Sequence, residues 1–143
     1  IIKILALAKK FKLIVIEDAS EALGSFFKNK HLGNFGKTGV LSFNGNKIIT
    51  TGAGGAILTN SKKTYSKALK LSKISRIQKN SWEYDYSSLG YNYRMPGLNA
   101  ALGLSQLKIF NNNLAKKKKL YGYYEKNITK DINYSPEKFQ TKD

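Results

Sequence analysis

The chain has 143 residues, no cysteine and a formal net charge of +16. That length holds one sizeable core and little more, the missing cysteines exclude disulfides and thiolate metal sites, and no apolar run approaches the ~20 residues of a membrane helix. The charge is almost all lysine, with Arg76 and Arg94 the only arginines. Phosphate and base recognition favours the planar guanidinium, so the excess is a weak sign of nucleic acid, and no nucleic-acid partner is expected. Ile1 to Lys10 lacks the order of a signal peptide, and a cytoplasmic protein without membrane association is expected.

In chain order, Ile1 to Phe11 reads as the end of an amphipathic helix, with Ile1, Leu5 and Ala8 on one face. Leu13-Ile14-Val15-Ile16 is a continuous apolar run, the pattern of a strand covered on both faces, and it ends at Glu17-Asp18. Gly33, Gly36 and Gly39 punctuate a loop. Val40 to Phe43 and Ala56 to Thr59 are two further short strands, and Ser61 to Ser75 has helical spacing. Leu98 to Leu107 is apolar almost all round, which predicts a helix buried in the core or at a subunit interface. Asn111-Asn112-Asn113 predicts a bend or break, followed by a helix from Leu114 to about Lys126 whose Lys116 to Lys119 run is a solvated face. Strands alternating with helices predict an α/β layered fold with a mainly parallel sheet. Ile1 opens directly inside a helix-like stretch and Ser135-Pro136 begins a polar end, so the expectation is an internal part of a longer protein.

Ligands of open α/β sheets bind beyond the carboxyl ends of strands. Asp18 follows the first strand and Lys47 comes shortly after the second. A lysine whose environment favours the neutral amine attacks carbonyls, and a carboxylate facing a pyridine nitrogen keeps that ring protonated. By themselves these two residues are also compatible with a turn-capping Asp and a solvated Lys. His31, the sole histidine, reads as a surface turn residue and no metal site is expected. Gly52-Ala53-Gly54-Gly55 reads as a turn returning the chain to the sheet, because a phosphate cradle would lead into a helix. Tyr84, Tyr86, Tyr91 and Tyr93 are expected in core or interface packing, not in base stacking.

Four ordered stretches carry a resemblance: Val15 to Gly24 (VIEDASEALG), Leu32 to Gly36 (LGNFG), Ser42 to Gly52 (SFNGNKIITTG), and Gly90 to Pro96 (GYNYRMP) followed by Asn99 to Gly103 (NAALG). Together they closely resemble the DegT/DnrJ-type sugar aminotransferases. The Trp82-Glu83-Tyr84 stretch and the wording around Lys47 look most like the branch acting on amino-sugar nucleotides for surface glycans.

The resemblance implies part of the large domain of a fold type I pyridoxal-phosphate transferase over residues 1–110, and over 111–143 a helical connection towards a small C-terminal domain. It implies pyridoxal 5'-phosphate as cofactor and Lys47 as its Schiff-base lysine, which would also move the proton between substrate and cofactor. Asp18 would pair with the ring nitrogen, Glu21 would lie near the phenolic oxygen where the family commonly has Gln or His, and Ser42 would hydrogen-bond the phosphate. Asn92 would reach the phosphate from the partner subunit, making the site of a homodimer shared. Ala53 departs from the Glu or Gly common in the family at that position. The implied reaction moves an amino group, from glutamate as donor, to a keto group of a nucleotide-linked deoxy sugar. Related dehydratases carry histidine in place of the Schiff-base lysine, so Lys47 favours aminotransfer. Other parts of the site would precede Ile1, so these residues alone are expected to be inactive; a non-catalytic remnant is a further alternative, and a basic nucleic-acid-binding module a remote one.

Overall fold

The computed structural model describes residues 1–80 and 82–128. The polar end from Ser135-Pro136 to Asp143 expected as a loop, and the later part of the 111–143 connection, lie outside the described residues. Helix α1 (Ile2–Lys10) ends with Lys9 and Lys10 beside its unsatisfied carbonyls, the favourable sign for a helix C-terminus. Lys12 then takes a left-handed conformation, φ 53°, and the Leu13 N–H returns to Ala8 C=O at 2.8 Å.

Strand β1 (Ile16–Asp18) begins where the predicted apolar run ends. Leu13 and Ile14 stay outside the strand and exposed, as Ile16 is within it. The run is strand-like in composition, but ladder formation needs a paired neighbour, and β1 is paired along one edge only among the described residues. Two short strands, β2 (Phe26–Phe27) and β3 (Lys30–His31), form a hairpin in the crossover, closed by Lys28 and Asn29 at positive φ. Strand β4 (Thr38–Ser42) then pairs parallel with β1, Asp18 opposite Val40, and antiparallel with β5 (Gly55–Leu58), Ser42 opposite Gly55. The three-stranded sheet, in the order β1-β4-β5, is therefore partly parallel, and helices complete a mixed α/β fold.

Helix α2 (Lys62–Ser72) starts at Ser61, whose Oγ accepts the Thr64 N–H at 3.2 Å. A second hairpin, β6 (Arg76–Gln78) with β7 (Tyr84–Tyr86), projects beyond it and lays the Arg76 guanidinium 4.1 Å from the Tyr84 ring centroid. Helix α3 (Gly97–Lys108) is separated from α4 (Phe110–Ile128) by a break at Ile109. The asparagine triplet is thus not the break; it lies in the first turn of α4, where helix propensity costs little and Asn113 has a tertiary partner. Among the described residues the well-buried apolar ones are few: Ala8 in α1, Ala19 just after β1, and Ile49 near buried Thr51 in the loop after β4.

Helix α3 does not form core. Only Gly103 is buried, while Leu98, Leu104 and Leu107 are 84, 65 and 56% exposed. The tyrosines are likewise not core: Tyr84, Tyr86, Tyr91 and Tyr93 are all exposed, the last two stacked with ring planes 9° apart. No described helix is long and apolar enough to cross a membrane.

Candidate active site

Side chains alternate across a strand, so the β1–β4 register places Asp18, Val40 and Ser42 on one face and Glu17 and Leu41 on the other. Asp18 and Ser42 both stand at carboxyl ends of parallel neighbours. After Ser42 the chain leaves the sheet in a loop closed on itself. Phe43 N–H donates to Gly54 C=O, Thr51 N–H and the Thr50 hydroxyl both donate to Phe43 C=O, and Lys47 N–H donates to Asn44 C=O. The Gly52 to Gly55 stretch serves as the return turn into β5, with the Thr51 hydroxyl donating to Ala53 C=O at 2.7 Å.

This loop returns Lys47 to the end of β1. Its Nζ pairs with the Glu21 carboxylate, and only 13% of the lysine side chain remains exposed. Asp18 is held below the usual carboxylate range, chiefly by hydrogen bonds from the Ser20 hydroxyl and N–H, with the charge of Lys47 acting in the same direction. Asp18, Glu21 and Lys47 therefore gather at one edge of the sheet. Ser42 is on the same face as Asp18, and its Oγ accepts the Asn44 N–H at 3.4 Å at the loop's start.

Asn92 has its own set of contacts. It bridges to Lys73 after α2 and lines a cavity of about 1060 Å³ formed by β4, β5, α2 and residues 91–96. Within a single chain none of the hydrogen bonds or ion pairs described for Asp18, Glu21, Ser42 and Lys47 involves it. His31 is not a simple surface residue: its Nε2 accepts the Gly24 N–H at 2.9 Å and its Nδ1 faces Leu32 C=O at 2.5 Å, which ties together the two ends of the β2–β3 hairpin.

Three supports of the site had no signal in local sequence patterning. Glu17 accepts the N–H groups of Gly33, Phe35 and Gly36 at 2.8, 2.5 and 2.5 Å, and so folds the glycine loop beneath β1. The Asn99 amide of α3 donates to Thr51 C=O, and that of Asn113 in α4 donates to Ile48 C=O, so two helices grip the segment just after Lys47. The nearest hint was a carboxylate beside Asp18 followed by glycines, which spacing alone does not resolve. At Gly103 a Cβ would come within 2.8 Å of Thr51 Cγ2, so the same segment requires glycine on the helix that faces it.

The sequence pattern of the DegT/DnrJ/EryC1/StrS aminotransferase family matches residues 1–143. The chain belongs to this family. It is 40% identical over 129 residues to the UDP-4-amino-4,6-dideoxy-N-acetyl-beta-L-altrosamine transaminase of Campylobacter jejuni, a match covering 90% of this chain and 34% of the relative. The structure of Helicobacter pylori PseC, an aminotransferase involved in the biosynthesis of pseudoaminic acid, superposes with a TM-score of 0.82 at 36% identity, over 90% of this chain and 34% of that one. The PLP-form of the putative sugar aminotransferase Spr1654 of Streptococcus pneumoniae superposes with a TM-score of 0.73 at 28% identity, covering 84% of this chain and 32% of that one. The chain therefore spans about a third of the length of these DegT/DnrJ relatives.

Proposed function

We propose that the protein transfers an amino group, from glutamate as donor, to a keto group of a nucleotide-linked deoxy sugar in the cytoplasm, for surface polysaccharide or glycan biosynthesis. The observation that carries this reading is the approach of a largely covered Lys47 to Asp18 and Glu21 at the carboxyl edge of the sheet. That donor set fits pyridoxal 5'-phosphate: an amine within reach of a carbonyl, a carboxylate held ionised by Ser20 for a ring nitrogen, and a serine hydroxyl on the same face for a phosphate. When bound, the cofactor supplies the electron sink for the bond changes at the amino-bearing carbon.

Asp18 would hold the ring-nitrogen proton, because its own hydrogen bonds from Ser20 favour the anion. Lys47 would anchor the cofactor and afterwards, as free amine, carry a proton between substrate and cofactor carbons. Ser42 would orient the phosphate, and Glu21 would stand beside the cofactor's phenolic edge. Asn92 makes no described bond to these residues in its own chain, which is compatible with its assignment to the partner's site, and the exposed leucines of α3 are apolar surface proposed to be buried in that homodimer. Residues 1–110 would belong to the cofactor-binding domain, with α4 leading towards a second domain.

The test uses the natural gene product freed of cofactor. Incubated with equimolar pyridoxal phosphate and reduced with borohydride, it should carry the label on Lys47, and Lys47→Ala should lose both the visible absorbance and amino transfer from glutamate. Full labelling and turnover in Lys47→Ala would remove the proposal.

A further inference from the structure

The carboxylate in contact with Lys47 is Glu21, in the turn three residues beyond Asp18. The pair is lopsided: the lysine side chain is 13% exposed and the glutamate 78%. Asp18 adds a second negative charge within electrostatic reach of the same ammonium. The β4–β5 loop, α3 and α4 bring neutral groups to this neighbourhood, the Ser42 hydroxyl and the amides of Asn99 and Asn113, the amides being engaged with loop carbonyls. Lys47 thus pairs with one anion and lies within reach of a second.

An amine attacks a carbonyl carbon with its lone pair. The ammonium must first lose one proton to solvent; the C–N bond then forms as the C=O bond breaks, and the carbonyl oxygen departs as water with the two hydrogens left on nitrogen. Anything that favours the ammonium slows this step. We propose that Glu21 is a latch on Lys47: its carboxylate occupies the lysine amine, and capture of a carbonyl requires that this pair open. Glu21 is then a positioning residue that sets how readily Lys47 is loaded, a role distinct from a contact to the loaded cofactor. The inference rests on Lys47 being the carbonyl-capturing residue. Because Glu21 is mostly exposed, its substitution removes the latch and leaves buried Ala19, Ile49 and Thr51 in place.

The experiment follows loading, not turnover. The cofactor-free natural gene product, Glu21→Gln and Glu21→Asp are each mixed with pyridoxal phosphate at pH 7, quenched with borohydride at set times, and the Lys47 peptide is quantified by mass spectrometry. Losing one partly exposed ion pair should speed capture by about two- to fivefold in Glu21→Gln. Glu21→Asp, with the charge kept, should stay nearer the unsubstituted protein. A second reading needs no substitution: at ~1 M salt, where the screening length falls to about 3 Å, capture by the unsubstituted protein should speed up and that by Glu21→Gln should change little. Lys47 labelled at equal or lower rates in Glu21→Gln, without the salt response, overturns the latch and leaves the Lys47 assignment intact. Label that avoids Lys47 in every variant overturns that assignment as well.

Discussion

Two regions of this chain, residues 17–51 and 97–128, are held together by different means. From Glu17 to Thr51, side chains bind backbone at nearly every turn: Glu17 takes three N–H groups, His31 spans a hairpin, and Asn99 and Asn113 reach in to fix the loop after Lys47. Along α3 and α4, apart from those two amides, the bonds are mostly within the helices, and large apolar side chains such as Leu98, Leu104, Leu107 and Leu120 are exposed. The candidate site is therefore shaped by directional bonds, which fix geometry at short range. The helical arm offers non-directional apolar surface, which gains energy only when something covers it.

The sharpest way to break that comparison is Glu17→Ala. It strands three backbone N–H groups, two of them bonded at 2.5 Å, and should cost roughly 2–4 kcal/mol in urea denaturation. Amide exchange at Gly33, Phe35 and Gly36 should accelerate selectively; an unchanged exchange pattern would mean that the carboxylate does not organise the loop. Next comes the junction of the two regions, Gly103→Ala. A helix normally gains about 0.5–1 kcal/mol from such a change, but here the added Cβ would lie 2.8 Å from Thr51 Cγ2. Overpacking of this kind costs about 1–3 kcal/mol, so a net loss is expected. Thr51→Ser removes that methyl and keeps the hydroxyl, and in its background Gly103→Ala should turn neutral or stabilising. Persistence of the full loss in the double variant would place the strain elsewhere. The smallest effect belongs to the arm: Leu104→Gln should change stability by no more than about 0.5 kcal/mol at sub-micromolar protein, because the side chain is 65% exposed. Dependence of that effect on protein concentration, followed by sedimentation, would give α3 its covering partner.

The same division governs what could be read in advance. The order of the helices and of the three sheet strands was legible, as was the end of the first strand at Asp18, because period and turn residues act over a few positions; the β2–β3 and β6–β7 hairpins were not. The apolar run at Leu13 to Ile16 misled on extent. Its composition suits a strand, yet only Ile16 is in a ladder, since pairing depends on a neighbour that the run cannot specify. The Asn triplet misled for a related reason: low intrinsic propensity was outweighed in α4, where Asn113 gains a carbonyl partner across the fold. His31 looked like a turn residue because its two partners, Gly24 and Leu32, are met only when the hairpin closes.

Sequence by itself determined the alphabet of the site: one lysine after a strand, two carboxylates and a serine near strand ends, and four motifs in an order that fixed the family. Those are properties of residue type and spacing, and they survive without knowledge of any contact. Tertiary structure alone decided which carboxylate took which partner. Asp18 was bound to Ser20, Glu17 turned to the opposite face to hold the glycine loop, and Glu21, the most exposed of the pair that meets there, closed on Lys47. The physical reason is that alternation along β1 separates neighbouring carboxylates by face, while a loop of many residues must close before the lysine can reach either of the other two.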